Sequence, residues 1–303
     1  MGYAICCSDD GNTLVCLSRR VNLFDLSSRK RIWSVLPFSH ASEADFSPDG
    51  KILAVKNTSG RILALDSASG NVIHDYKNQK EGEGSEVFFS PEGNRLIDAS
   101  WKGVITVRKL LEPTIVTEQS FPGEMIVRVS HDTTRRTWLF EHHPVVRPGE
   151  NWPSPPYLTI EKWPIGEGTA KVIALDLDIS ASATISPDAS RICYVCIRRG
   201  LGRWIKVAQA IDGETLASSE EIKTGGPVRA LAWSPDGRYI GTVQKRRFVF
   251  YKASDLSFVG EVPCTYPSSI CFLPGKNDVV LGSWKASVLV GLDAIAAGKV
   301  KMS

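Results

Sequence analysis

The side chains able to act as bases, nucleophiles or metal ligands are few and dispersed. The histidines are His40, His74, His131, His142 and His143. Only the last two are adjacent, and an adjacent pair is not by itself a metal-ligand spacing. Seven cysteines (Cys6, Cys7, Cys16, Cys193, Cys196, Cys264 and Cys271) sit mostly in apolar runs, as reduced thiols do when they serve as small core residues. Cys193 and Cys196 have the CxxC spacing, but they fall in a strand-like run, where residues three apart face opposite sides of a sheet. No second pair and no histidine lies at zinc-site distance from them. Six acidic residues recur at similar places: Asp10, Asp49, Glu92, Asp132, Asp188 and Asp236. Each belongs to a turn, and turn formation explains it before catalysis does. The sequence has no GxSxG elbow, no GxxxxGK[ST] phosphate loop and no HExxH. The expectation is therefore no catalytic constellation, no metal and no cofactor.

The elements that would have to position any site follow from those turns. Ser47-Pro48-Asp49-Gly50 stands between Ala44-Asp45-Phe46 and the apolar run Ile52-Leu53-Ala54-Val55. Pro48 pre-sets φ at the second position, and Gly50 accepts a positive φ that a Cβ resists, so Gly50, Gly93 and Gly237 are expected there. Two further short strands follow, Arg61 to Leu65 and Asn71 to His74. The turn recurs at Ser8-Asp9-Asp10-Gly11, Ser90-Pro91-Glu92-Gly93, Ser130-His131-Asp132-Thr133, Ser186-Pro187-Asp188-Ala189, Ser234-Pro235-Asp236-Gly237 and Leu273-Pro274-Gly275-Lys276. Successive spacings are 39, 43, 40, 56, 48 and 39 residues. Four short strands at such a period predict an all-β fold, a seven-bladed β-propeller of four-stranded antiparallel blades.

On this pattern the chain resembles the WD-repeat propellers. The resemblance is of spacing and turn. The Trp-Asp that ends the third strand in that family is replaced by Phe24-Asp25 and Leu65-Asp66, and the Gly-His that opens a typical repeat is absent. The resemblance implies a scaffold or recognition module, without the hydrogen-bond network that the missing Gly-His would support. The expected arrangement is one domain, residues 1–303, with blades near 3–36, 41–78, 85–121, 124–175, 178–222, 226–262 and 266–303. Because the chain enters on an innermost strand, the last outer strand is expected from Lys299-Val300-Lys301-Met302.

Composition agrees. Apolar residues make up 43% and charged residues 23% of 303 residues, the balance of a soluble globular protein. No apolar run has the length of a membrane span, and no charged-then-apolar leader pattern opens the sequence. Met1-Gly2 lacks the Ser or Thr at position six that myristoylation requires, since Cys6 stands there. A cytoplasmic location is expected.

Charge is unevenly placed. The hairpins between second and third strands carry Arg19 and Arg20; Lys56 and Arg61; Trp101 and Lys102; Arg147; Arg198, Arg199 and Arg203; Lys245, Arg246 and Arg247; and Trp284 and Lys285. A propeller puts equivalent hairpins on one rim, while the net charge is only +3. Loops joining the blades add Glu81, Glu83, Glu118, Glu124, Asp176 and Asp178 to the same face. The plainer reading is that hairpin tips are solvated. The sharper one is a contact face. Ser100-Trp101-Lys102-Gly103 and Ser283-Trp284-Lys285-Ala286 nearly repeat each other, and exposed Trp and Arg are the residues of binding hot spots. Residues 142–156, HHPVVRPGENWPSPP, read as a long proline-stiffened loop with Trp152 beside this face.

The expected function is therefore a non-enzymatic module, a subunit of a larger complex, binding an acidic protein or peptide and no membrane. Two alternatives come from other classes. The same rim could bind nucleic acid, although a pI of 8.4 is short of a strongly basic domain. A hydrolase or lyase could gather its residues from several blades at the central channel.

Overall fold

The computed structural model describes residues 4–76, 84, 86–145, 155–173, 179–198, 201–223 and 227–302, with the backbone alone for 179–181. The strands fall into seven antiparallel sheets, each formed by consecutive elements. The first contains β1 (Ala4–Cys7), β2 (Thr13–Leu17), β3 (Val21–Asp25) and β4 (Lys30–Val35). The second contains β5 (Ala41–Phe46), β6 (Ile52–Asn57), β7 (Ile62–Asp66) and β8 (Val72–Tyr76). The third has β9 (Val87–Phe89), β10 (Arg95–Ala99), β11 (Val104–Lys109) and β12 (Ile115–Ser120). The fourth has β13 (Glu124–His131), β14 (Thr137–Pro144), β15 (Tyr157–Lys162) and β16 (Lys171–Ile173). The fifth has β17 (Ile179–Ile185), β18 (Arg191–Arg198), β19 (Gly202–Gln209) and β20 (Thr215–Ser218), and the sixth β21 (Ala230–Trp233), β22 (Tyr239–Gln244), β23 (Arg247–Lys252) and β24 (Phe258–Pro263). The seventh has three strands, β25 (Pro267–Phe272), β26 (Asp278–Ser283) and β27 (Ser287–Gly291), followed by a short helix, α1 (Leu292–Ala296).

First strands of neighbouring sheets pack side by side, and β25 meets β1, so the sheets close into a ring. Each sheet alone is marginal, and stability comes from stacking its face on the next. The buried apolar residues accordingly form seven groups, one at each blade junction. Cys193 and Cys196 fall in different groups, on opposite faces of β18, as their strand spacing requires. Among the described residues the junction of blades seven and one has the smallest group, with Leu14, Leu273 and Val280 as its buried members.

The repeated turn works as its residue types predict. In the second blade the Ser47 hydroxyl donates to Asp49 Oδ1 (2.6 Å) and accepts the Ile52 N–H (2.9 Å). Gly50 closes the turn on the Ser47 carbonyl at φ 70°, and Gly93 and Gly237 adopt 71° and 68°. The same hydroxyl hydrogen bonds pull the Asp10 and Asp49 carboxyls below the usual carboxylate range.

Two expectations need correction. The fourth turn is Asp132–Arg135, two residues later than Ser130–Thr133. The Arg135 N–H closes on the Asp132 carbonyl (3.0 Å), and Asp132 Oδ1 accepts the Arg136 and Thr137 N–H groups (2.9 and 3.0 Å). A carboxylate does here what a serine hydroxyl does in five other turns. In the seventh blade, Lys299 to Met302 do not form a fourth strand. The alanine-rich segment coils into α1 and ends near Gly298 (φ 64°), and the Met302 N–H then reaches the Pro263 carbonyl of blade six.

Candidate functional site

The hairpins joining second to third strands emerge at the opposite end from the Ser-Pro-Asp-Gly turns, because successive strands are antiparallel. Arg19 is exposed at the first, while Arg20 is braced on β4, its Nε donating to Ser34 Oγ (2.8 Å) and Nη2 to Ser34 O (2.9 Å). In the third blade, the turn Ser100–Gly103 presents exposed Trp101 and Lys102. The Trp101 indole lies against Gly84, where a Cβ would come within 2.4 Å of the ring, yet 48% of the residue stays exposed. Arg198 and Arg203 flank the fifth hairpin half-buried, with Leu201 exposed at its tip. Lys245 and Arg246 are exposed at the sixth. Arg247 turns inward to Glu261 (2.6 Å) and Gln244 (3.2 Å). At the seventh, Trp284 and Lys285 are exposed, and Trp284 stacks on Tyr266 with centroids 6.1 Å apart. Tyr266, in the loop between blades six and seven, is an exposed aromatic residue that the hairpin pattern missed.

Two cations leave the face. Lys56 is fully buried, its ammonium bonded to Asp98 of β10 and to the Ala99 carbonyl (2.7 Å). Arg61 is paired with Asp75 of β8 (2.6 Å). Arg147, Trp152 and Arg199 lie outside the described residues, as do Glu81, Glu83, Asp176 and Asp178. His142 and His143 belong to β14 and not to a loop. The His142 ring lies between Glu124 Oε2 (3.0 Å) and Thr159 Oγ1 (2.8 Å) and stacks on Tyr157. With both nitrogens engaged and no exposure, it is a satisfied core histidine.

Ionisable groups also gather around the central channel. Glu43 on β5, Glu86 just before β9 and Arg128 on β13 occupy equivalent places, four residues before the turns of blades two, three and four. Arg128 donates to Glu86 (2.8 Å) and to the Arg229 carbonyl (3.3 Å), and Glu86 also accepts the Val129 N–H (2.9 Å). Burial, then the Glu86 charge, pushes the Glu43 carboxyl up to about 8. Nearer the Ser-Pro-Asp-Gly end, Arg135 reaches Asp45, Asp9 and the Phe46 and Phe89 carbonyls. Asp45 also accepts the Phe89 N–H (2.8 Å). These groups satisfy one another across blades. Burial raises the Glu86 carboxyl as well as that of Glu43, and a protonated carboxyl supplies no nucleophile. Among the described residues, no group of three or more His, Cys, Asp and Glu side chains is placed to hold a metal ion. No helix among them is long and apolar enough to cross a membrane.

Seven sheets in a ring, with this turn at one end of each blade, define a WD-repeat-like seven-bladed β-propeller. Comparisons with known proteins agree. A family model described as the anaphase-promoting complex subunit 4 WD40 domain matches residues 6–89, from the first blade to the start of the third. The 77 kDa echinoderm microtubule-associated protein of Strongylocentrotus purpuratus is 32% identical over 94 residues, 31% of this chain and 14% of that protein. Its namesake in Lytechinus variegatus is 30% identical over 103 residues, 34% of this chain and 15% of that protein. The chain thus matches only a small part of the length of these relatives. Among solved structures, Kuenenia stuttgartiensis hydrazine synthase superposes with a TM-score of 0.77 at 17% identity, covering 96% of this chain and 95% of that one. The β-propeller domain of Myceliophteria thermophila Cps50 (Swd1) gives 0.76 at 10% identity, with 96% of both chains covered. At such identities the likeness is one of fold alone.

Proposed function

We propose that this propeller is a non-enzymatic recognition module whose cation-rich face binds an acidic segment of a protein partner. The observation that carries the reading is the company of exposed aromatic rings and exposed cations at hairpin tips: Trp101 with Lys102, and Trp284 and Tyr266 with Lys285. Exposed aromatic side chains at loop tips contribute nothing to the core, and beside cations they match the composition of binding hot spots. WD-repeat propellers generally act by binding proteins, which supports the class of function, although fold alone does not fix it. The reading includes a cytoplasmic site of action and membership of a larger assembly.

The test is capture of partners from the native source, followed by affinity measurements on Lys245→Glu/Arg246→Glu and Trp284→Ala. Co-sedimentation with microtubules belongs in the first round, since the relatives are named for that association. Loss of binding in both variants, with unchanged thermal unfolding, supports the face. Binding that survives both, but is abolished by changes at the Ser-Pro-Asp-Gly end, overturns it. Steeply salt-dependent binding to any nucleic acid sequence would favour the nucleic-acid alternative.

A further inference from the structure

Six blades use the fourth strand to lock onto the next blade. Trp33 of β4 donates its indole N–H to the Ser67 carbonyl (2.8 Å), and its ring occupies the space beside Gly70. The Tyr76 hydroxyl of β8 accepts the Leu111 N–H (2.6 Å). Gln119 of β12 donates to Glu161 (3.2 Å), while Thr117 packs on Gly166. Ile173 of β16 and Ala217 of β20 join the core groups of the blades that follow them, and Gly260 of β24 backs onto Ile295 of α1. In most of these the target is the connection between the third and fourth elements of the following blade.

The matching place in blade one, the connection 26–29 between β3 and β4, faces no such strand. Blade seven stops at β27, and α1 and Met302 pack with Phe250 and Val262 on the blade-six side. A groove of about 480 Å³ lies there instead, floored by Leu14, Cys16, Phe24 and Leu26 of blade one and by Val280 and Leu289 of blade seven. It runs the length of a strand, from Lys285 at the cation-rich end to Arg29 at the opposite end. This is also the junction with the smallest buried core among the described residues.

The edge beside the groove is free to pair. Hydrogen-bonded pairs alternate along an antiparallel ladder. The Ser283 N–H to Ala286 O and Leu292 N–H to Asn277 O bonds fix the even-numbered residues of β27 as those bonded to β26. Ser287 and Leu289 therefore turn both backbone groups outward, and Gly291 its N–H, its carbonyl being taken by the first turn of α1; among the described residues β27 pairs with no strand on this side. β27 is also less buried than its counterparts β7 and β11.

We infer that this groove takes up an extended segment of a partner protein, added antiparallel to β27 as the missing fourth strand. A segment of about five residues spans the edge. A central aromatic or large aliphatic residue fills the groove, as Trp33 and Tyr76 fill the equivalent junctions. Acidic residues at its two ends meet Lys285 and Arg29. Asp25, also at the groove, stays ionised because the Ser27 hydroxyl and the Ser28 N–H donate to it (2.7 and 2.6 Å), so it offsets Arg29 and the acidic residue at the Lys285 end is the one that counts. The inference goes beyond the proposed contact face and does not depend on it.

The probe is a fluorescein-labelled synthetic peptide, EVTWTVE, titrated into the full chain, with amide hydrogen exchange read residue by residue. The expected result is saturable binding, with the Leu289 and Gly291 amides fast-exchanging in the free protein and protected in the complex. Ser287→Pro removes an outward N–H without touching the β26 ladder, so it should weaken binding at least tenfold while thermal unfolding is unchanged. Lys245→Glu/Arg246→Glu, which tests the contact face, should leave peptide binding intact. Three outcomes overturn the inference: peptide binding that protects amides elsewhere or none at all, slow exchange at Leu289 in the free monomer, and protection that appears without peptide as concentration rises, which would assign the edge to a second copy of this chain.

Discussion

The guanidinium of Arg135, on the fourth blade, binds the carboxylate of Asp45, on the second, with Nη2 3.2 Å from Oδ1. Both groups are buried, and Arg135 adopts φ 57° at the position where glycine closes four of the other turns. A left-handed residue with a Cβ costs roughly 1–2 kcal/mol, so this arginine is held by its partners and not by its backbone. Asp45→Ala should destabilise the protein by about 3–5 kcal/mol, because a buried cation loses its main partner. Arg135→Gly relieves the backbone but leaves Asp45 buried and unpaired, and its urea midpoint should also fall below that of the parent protein. A rise in that midpoint would refute the tie.

Lys56, Asp98 and Arg108 form a second buried group, two cations on one carboxylate. Removing Lys56 leaves a matched pair, whereas removing Asp98 leaves two buried cations. Asp98→Ala should therefore be more destabilising than Lys56→Met, with a loss of about 3–5 kcal/mol against a smaller one. Chemical denaturation of the two variants side by side measures the difference.

The repeated turn separates conformation from packing. Nothing lies within 4 Å of a Cβ built on Gly50, so Gly50→Val tests backbone strain alone and should cost about 1–2 kcal/mol. Ala189, at φ 59° in the equivalent position, should respond oppositely, with Ala189→Gly raising the denaturant midpoint. Equal midpoints for all three proteins would contradict this account of the turn.

Glu43 gives a pH dependence. Its folded-state pKa is raised from 4.5 to about 8, so the fold favours the protonated acid. The associated stability is fully present below pH 4.5 and is lost as pH rises toward 8. Glu43→Gln removes this contribution and leaves that of Glu86, whose carboxyl burial also raises. The variant should match the parent near pH 4 and exceed it by about 1–2 kcal/mol above pH 8, a figure reduced from the full shift because the side chain is partly open to the channel. Thermal melts from pH 4 to 9 test the sign.

Charge reversal on the hairpin face should leave folding almost untouched, since exposed cations contribute little to it. With an acidic partner, Lys245→Glu/Arg246→Glu should act mainly on the association rate and flatten its salt dependence. Stopped-flow binding at two ionic strengths separates that from a change in dissociation.

What the sequence made legible was local. Ser47, Asp49 and Gly50 contact one another within five residues, so their spacing alone revealed the turn and its seven-fold recurrence. The fourth turn was misplaced because Asp132 uses a carboxylate where other turns use a serine hydroxyl. Lys56 resembled a hairpin cation because its partner, Asp98, lies 42 residues away on another blade. The run Leu292–Ala296 carried a helical signal in its alanines, but the repeat pattern argued for a turn and an outer strand. Tyr266 carried no repeat signal, and only the folding of blade seven brings it against Trp284. The channel groups were equally hidden: nothing near Glu43 in sequence indicates that Glu86 and Arg128 stand beside it.

The polar ties across the hub are lopsided. Arg135 fastens blade four to blades one, two and three, and Arg128 fastens it to blade three and to one carbonyl of blade six. At the corresponding places blades five, six and seven carry Ser182, Thr184, Ala230, Ala232, Ser269 and Cys271. Directional bonds resist sliding, while greasy contacts between sheets tolerate it. The disc is thus a wheel whose charged spokes stand on one side: blades one to four are cross-tied at the hub, while the remaining blades are tied pairwise and nearer the turns, as by Arg191 to the Gly237 carbonyl (3.1 Å) and Lys276 to the Gly11 carbonyl (3.0 Å).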